Sequence, residues 1–405
     1  MLALNLLRDP KYRNYWLALF VSQLGTWMQA ATQGWLVLEL TGSAERLGLV
    51  VALQFLPSLF FSIPAGVISD RYPRRNLLLI TQTGLALSAF AMFGLIVTGL
   101  IRYEHVLVFA MLYGFFTAMD LPVRQAFTVE MAGRERYPGA IALNSFGFNT
   151  SRLIGPAIAG LLIAAVGLSW SYLINALSFL PMLLVLVWTA AAKVQAKTSS
   201  GVQDALEGIR YVRGQPLIRQ VVLLVGLTSM FGMNFQTIVP AYARLELNLD
   251  AQGFGILMSA VGAGSIVASV IQAIAAKARP IRAVWGNLIL GLSLVVLIFP
   301  LPLVWTAVVL GVAGLGMITT MVNSNTTVQL LAPDHLRGRI MSVYSMVLLG
   351  VGPVGAYLAG FLLQHLGGHY GAAVLGVLTM ASGLVMLRRP WPKTLKVPAS
   401  AAADD

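Results

Sequence analysis

Long runs of apolar residues alternate with short polar interruptions along this chain, and the runs have the length needed to cross a lipid bilayer. Hydrocarbon offers no water to satisfy backbone groups, so a run of about 20 apolar residues must close its own hydrogen bonds and reads as a helix. Twelve such runs are predicted: 14–39, 47–69, 76–100, 106–130, 138–166, 169–190, 217–242, 252–276, 283–300, 303–331, 338–365 and 370–387. Short turns join most of them. The expected fold is an all-α membrane protein with two six-helix bundles, 1–190 and 217–389. Between them, 191–216 carries Val202, Leu206 and Ile209 at helical spacing, which predicts an amphipathic helix lying on the membrane face. The tail, 390–405, is rich in Pro, Ala and charge and is expected to be disordered.

Composition agrees. Of 405 residues, 58% are hydrophobic and only 10% charged, and the mean hydropathy of +0.79 exceeds what a soluble domain carries. The chain has no Cys, which excludes disulfides, thiolate nucleophiles and cysteine-ligated metals. The opening MLALNLLRDPKYRNYW lacks a cleavage-site pattern and is expected to be a mature lead-in. Basic residues gather on one side: Arg8, Lys11 and Arg13, the arginines of 71–75, Arg124, Arg134 and Arg136, the central segment, Lys277, Arg279 and Arg282, Arg337 and Arg339, and Arg388 to Lys396. The opposite loops carry only Arg46, Arg102 and Arg244. Lys and Arg favour the cytoplasmic side, so both termini are expected there, in a cell (inner) membrane. The net charge of +12 then reflects topology and contact with anionic lipid, and no nucleic-acid partner is expected.

The chain also repeats itself. MLYGFFTAMDLPVRQAFTVEMAG from 111 and VAGLGMITTMVNSNTTVQLLAP from 312 place Gly114 and Gly314, Gln125 and Asn325, and Met131-Ala132 and Leu331-Ala332 at a spacing of 200. The following runs both proceed from a loop Gly to a Gly-Pro pair, Gly155-Pro156 and Gly352-Pro353, with Gly160 and Gly360 beyond. Parallel repeats of this kind build transporters with a binding site between the halves.

Charge is concentrated in GVISDRYPRR, residues 66–75, between the second and third runs. This stretch resembles the Gly-x-x-x-Asp-Arg-x-x-Arg-Arg signature of the major facilitator superfamily. More narrowly, QLGTWMQAATQGWLVLELTGSAERLGLV (23–50), DLPVRQAF (120–127) and EGIRYVR (207–213) resemble the branch that includes enterobactin and macrolide exporters. The resemblance covers all but the tail. The counterpart loop from 275, AAKARPIRA, lacks the Asp, so the motif acts on one side only. The resemblance implies a gate formed by Gly66, Asp70, Arg71, Arg74, Arg75 and Glu130. Physically, a carboxylate at Asp70 can accept from a neighbouring helix N-terminus, the arginines can pair with Glu130, and Gly66 can admit a close helix. Such a cluster can latch the halves; alternatively the arginines only enforce topology.

Charge near the bilayer midplane costs several kcal/mol and marks a functional candidate. Asp120 lies roughly 15 Å from the cytoplasmic end of the fourth span and Arg152 roughly 20 Å into the fifth, at ~1.5 Å per residue. Arg124 follows Asp120 at i+4, on the same face. If transport is proton-coupled, Asp120 is the expected internal carrier, with Arg124 or Arg152 as a switching partner; the alternative is a permanent ion pair that fixes packing. Glu39, near the outer end of the first span, is a second candidate or a plain interfacial residue.

Polar stripes run along several spans. Ser22, Thr26, Gln29 and Gln33 share one face, as do Ser145, Asn149 and Arg152. With Asn234, Gln236, Asn323, Thr327 and Tyr344 from the second half, they predict a cavity lined by amides, hydroxyls and aromatics such as Trp27, Trp35, Phe148 and Phe235. Hydrogen bonding between helices accounts for some of these positions by itself. Gly155, Pro156 and Gly160, with Gly352, Pro353 and Gly360, predict close packing and kinks that permit rocking.

His365 and His369 flank Gly367-Gly368, which argues against a metal pair, and no metal or other cofactor is expected. With no Walker loop, Gly-x-Ser-x-Gly elbow or HExxH, the chain is not expected to be an enzyme. The sequence thus predicts a secondary transporter using alternating access, driven by a proton gradient and exporting amphipathic drug- or siderophore-like molecules, as a monomer. An importer, uniporter or lipid flippase of the same fold is the alternative, and a non-transporting receptor or scaffold the rival from another class.

Overall fold

A computed structural model describes residues 6–133, 135–190, 201–274, 279–333 and 336–392; the side chains of 62, 63, 67, 70 and 201–205 lie outside the description. The first half consists of α1 (Pro10–Thr41), α2 (Ala44–Arg71), α3 (Arg74–Val97), α4 (Tyr103–Ala132), α5 (Tyr137–Val166) and a sixth span broken at Phe179 into α6 (Ser169–Ser178) and α7 (Leu180–Trp188). After the linker helix α8 (Gly201–Gly214), the second half begins with α9 (Pro216–Phe231) and α10 (Phe235–Ala241), extended by a π-turn, Tyr242–Glu246. It continues with α11 (Ala251–Ile274), α12 (Ile281–Val296), α13 (Leu303–Leu331), α14 (Arg337–Gly350), α15 (Gly352–Leu366) and α16 (Gly368–Leu387).

These helices make the twelve spans of the predicted fold. Ten stretches among the described residues are long and apolar enough to cross a membrane. The apolar α12 is shorter, at 16 residues, and α1 has 32 residues but is diluted by its polar stripe. Local chemistry sets the ends. The Asp9 side chain caps α1 by accepting from the Lys11 amide at 3.0 Å. Gly42, at φ +61°, closes the same helix in the left-handed conformation that glycine tolerates. Ser43 then caps α2, accepting from the Arg46 amide at 3.3 Å.

The repeat is visible as backbone crossings. A Cβ on Gly114 would strike the Gln54 carbonyl of α2, and one on Gly314 would strike the Val261 carbonyl of α11. Likewise Gly155 abuts Trp27 and Met28 of α1, and Gly355 abuts Met230 of α9. Small residues at these points let helix backbones approach more closely than any side chain allows.

Two further crossings join the halves. Gly160 on α5 lies against Ala251 and Gly255 of α11, where a Cβ would come within 2.6 Å of the Ala251 carbonyl. Gly360 on α15 lies against Ala44 and Gly48 of α2, where a Cβ would come within 2.5 Å of the Ala44 carbonyl. Both crossings sit toward the end of the bundle opposite the chain termini, here the far end. The same end carries the Trp35 and Phe254 rings, stacked at 5.5 Å, and hydrogen bonds from the Ala44 amide to Gln364 and from Tyr357 to Glu45, both 2.8 Å. His365 and Glu45 are 3.2 Å apart. The hydrogen bonds and ion pairs seen between described residues of the two halves lie here or at mid-depth, where Ser259 donates to the Leu153 carbonyl at 2.9 Å. None is seen among the described residues at the terminal end.

The linker helix α8 packs on α14 through Glu207 and Arg339 and through Gly208, over which the Arg339 carbonyl and Val343 lie. Residues 191–200 and 393–405 lie outside the described residues, and with them most of the tail expected to be disordered. Its described beginning is docked, with the Trp391 indole donating to the Met386 carbonyl at 2.8 Å.

Candidate functional site

Asp120 is 2% exposed and sits where α4 packs on α3. One carboxylate oxygen accepts from the Thr81 hydroxyl at 2.8 Å and the Gln82 amide at 2.7 Å; the other faces Arg124 Nε at 3.2 Å. Both oxygens are engaged, as a buried charge requires. The helix carries the network onward: Thr128 donates to the Arg124 carbonyl at 2.9 Å and lies 2.8 Å from the Tyr15 hydroxyl on α1. This site belongs wholly to the first half. Arg152 takes no part in it.

Arg152 sits elsewhere, half-buried on α5. Its guanidinium stands over the Trp27 ring, 5.6 Å from the centroid, and 3.4 Å from the Met317 sulfur on α13. Trp27 meets Phe148 edge-on at 5.5 Å. Glu39 is exposed at the far end of α1.

The residues expected to form a gate lie at the terminal end. Arg74 Nη1 and Glu130 are 3.5 Å apart, tying α3 to α4 within one half. Arg75 donates to the Leu186 and Val187 carbonyls at 2.7 and 3.1 Å, satisfying the open end of α7. Arg71 is exposed, and the Asp70 side chain lies outside the described residues. Among the described residues, nothing lies within 4 Å of where a Cβ on Gly66 would stand.

Most of the predicted cavity residues are committed to contacts within their own half. Gln29 accepts from Asn175 at 2.6 Å, Gln33 donates to Gln54 at 3.2 Å, and Asn323 donates to Gln272 at 3.1 Å. Thr327 bonds the Asn323 carbonyl at 2.6 Å, and Tyr344 reaches the Met321 carbonyl at 3.5 Å. Asn234 lies at the break in the seventh span, donating to the Met230 carbonyl at 2.8 Å. Thr26, Asn149 and Gln236 stay partly exposed. Thr26 and Asn149 each bond a carbonyl one turn earlier on their own helix, at 2.9 and 2.8 Å.

The Gly-Pro segments behave differently. Helix α5 runs unbroken through Gly155, Pro156 and Gly160, whereas the eleventh span is interrupted at Val351, beside Gly352 and Pro353. Sequence reasoning missed the partners Thr81, Gln82, Gln54, Asn175 and Gln272, although each is a polar residue in an apolar run. It also missed the far-end ties of Glu45, Tyr357 and Gln364, which no spacing pattern brings together.

Comparison with known proteins places this geometry. The profile of a family described as transmembrane secretion effector matches residues 2–403. The multidrug efflux pump Tap of Mycobacterium tuberculosis is 28% identical over 411 residues, covering 95% of this chain and 96% of its own. The enterobactin exporter EntS of Salmonella choleraesuis is 25% identical, with 96% and 94% covered. The staphyloferrin A transporter of Staphylococcus aureus is 24% identical, with 90% and 93% covered. Among solved structures, a D-xylose-proton symporter superposes with a TM-score of 0.73 at 14% identity, covering 94% of this chain and 100% of its own. The nucleoside transporter NupG gives 0.72, also at 14%, with 94% and 98% covered. At these identities the structures establish the shared fold.

Proposed function

Because the chain belongs to the transmembrane secretion effector family of the major facilitator superfamily, and is a multi-span membrane transporter and not an enzyme, we propose that it exports amphipathic small molecules in exchange for protons. The substrates are drug-like or siderophore-like, as the names of the Tap and enterobactin relatives suggest. The observation that carries this reading is the far-end seam, where the halves are knit together by Gly48, Gly160, Gly255 and Gly360. With the basic end in the cytoplasm, that is the loading state of an exporter, operating as a monomer in the inner membrane.

Rocking about the seam would bring the terminal ends together, where the 66–75 segment and Glu130 latch them, and would part the far end. Proton entry from that side would neutralise Asp120 and release Arg124. Thr81 and Gln82 hold the carboxylate in place between states. A second reading has its own observation: Asp120 already has both oxygens satisfied, which suits a fixed strut and transport without protons at this residue.

The deciding experiment is collapse of a preformed proton gradient in inverted vesicles on adding macrolides, cationic dyes, catecholates or lysolipids. Export by exchange predicts collapse with wild type and none with Asp120→Asn. Substrate movement that persists in Asp120→Asn without proton flux supports the strut. No movement of any compound, with folded protein present, removes the export reading.

A further inference from the structure

Among the described residues, Arg152 is a cation without a counterion. Among the described residues no carboxylate lies within ion-pair distance of it, and its one hydrogen-bond contact is a thioether sulfur, a weak acceptor for a group with five N–H donors. An arginine at this depth of a span is expected to be paired or to face a cavity, because leaving it unpaired costs several kcal/mol.

The surroundings are built. Gly155 brings α1 so close that a Cβ there would lie 2.7 Å from Trp27 Cβ, fixing the indole beneath the guanidinium. On the other side Gly262 of α11 crosses α5 at Leu153, where a Cβ would lie 2.7 Å from the Leu153 Cα. The 1%-exposed Met317 closes the site from α13. Arg152 therefore stands where spans of both halves meet. Along its own helix face, Ser145 and Phe148 are exposed, Asn149 and Arg152 half-buried, and Gly155 buried. Exposure falls toward the seam, as in a funnel that is open at the terminal end and closed just beyond Arg152.

We infer that Arg152 is the anion subsite of the transport path, and that the preferred substrates are amphipathic molecules bearing a carboxylate or comparable oxyanion next to an aromatic or aliphatic body. The planar guanidinium supplies paired donors for two oxygens of one acid, and Trp27 and Phe148 supply the apolar contact. Cationic amphiphiles are repelled at the same point. This inference rests on the export reading for its biological direction, but the site itself requires only binding.

The test uses the full chain in lipid nanodiscs and calorimetric titration with 2-naphthoxyacetate and cholate, each beside its neutral amide. The acids should bind at least ~10-fold more tightly than the amides, the worth of a charge-assisted hydrogen bond. Arg152→Gln should remove the preference for acid over amide, while Arg152→Lys should retain part of it. A thermal melt matching wild type certifies that each variant is folded. Equal binding of acid and amide to wild type, no binding of either acid, or unchanged acid binding in Arg152→Gln overturns the proposal. The export reading fails separately: binding at Arg152 with no flux in proteoliposomes keeps the anion site and removes export, while flux of wild type together with acid binding that is unchanged in Arg152→Gln keeps export and removes the anion site.

Discussion

The two halves repeat one backbone and carry different chemistry. Gly114 and Gly314, Gly155 and Gly355, and Gly160 and Gly360 occupy matched crossings 200 residues apart. At the same offset Asp120 faces Thr320, Arg124 faces Ser324, Glu130 faces Leu330 and Arg152 faces Gly352. Where the first half buries a carboxylate with three donors, the second has a hydroxyl bonded to the Ala283 and Gly316 carbonyls at 3.1 and 3.0 Å. At these matched positions packing is shared between the repeats, while the charge is carried by the first half alone. Matched bundles of this kind differ, then, in the groups they bury at equivalent depth.

Perturbing matched positions tests that division, and the largest effect should come from the charge. Asp120→Ala leaves Arg124 without its counterion and should cost on the order of 3 kcal/mol in unfolding free energy, against about 1 kcal/mol for Thr320→Ala, read by denaturant unfolding in micelles. Next come the glycines. Gly160→Val and Gly360→Val should each overpack a far-end crossing by about 1–3 kcal/mol. The native chain has no Cys, so a reporter at Ala44→Cys or Ala251→Cys gives a clean maleimide signal, whose labelling should rise at least ~5-fold above the same reporter alone if the seam opens. Equal responses to the two valines would show a symmetric seam.

Smaller still is Glu45→Gln, which weakens the links to Tyr357 and His365; about 0.5–1 kcal/mol of far-end closure should be lost, seen as a modest rise in Ala44→Cys labelling. The smallest effect is expected from Arg74→Ala. Its pair with Glu130 has side chains 32% and 25% exposed, so no more than about 0.5–1 kcal/mol of stability should go, and any larger drop in transport would identify the pair with gating.

Span number and repeat were legible because lipid imposes a length and an apolar composition on every crossing helix. Charges in the membrane were legible for the same reason, so Asp120, Arg124 and Arg152 stood out from sequence. Their partners did not. Thr81 and Gln82 reach Asp120 only through the packing of α3 on α4, and Arg152 meets Met317 only because the halves close on each other. The polar stripe of α1 predicted a cavity wall, yet Gln29 and Gln33 bond Asn175 and Gln54. Spacing reveals which residues share a face, and neighbouring helices decide whether that face is wet.

The interruption at Val351 has a mechanical consequence. The α5–α11 crossing is carried by a first-half helix that is continuous from one end of the bundle to the other, whereas the α2–α15 crossing is carried by a shorter helix that meets α14 at the break at Val351. The same torque therefore bends one side and merely levers the other. Opening of the far end should be lopsided, starting as a slit between α2 and α15 before it widens into a mouth, with a molecule's release path set by that side.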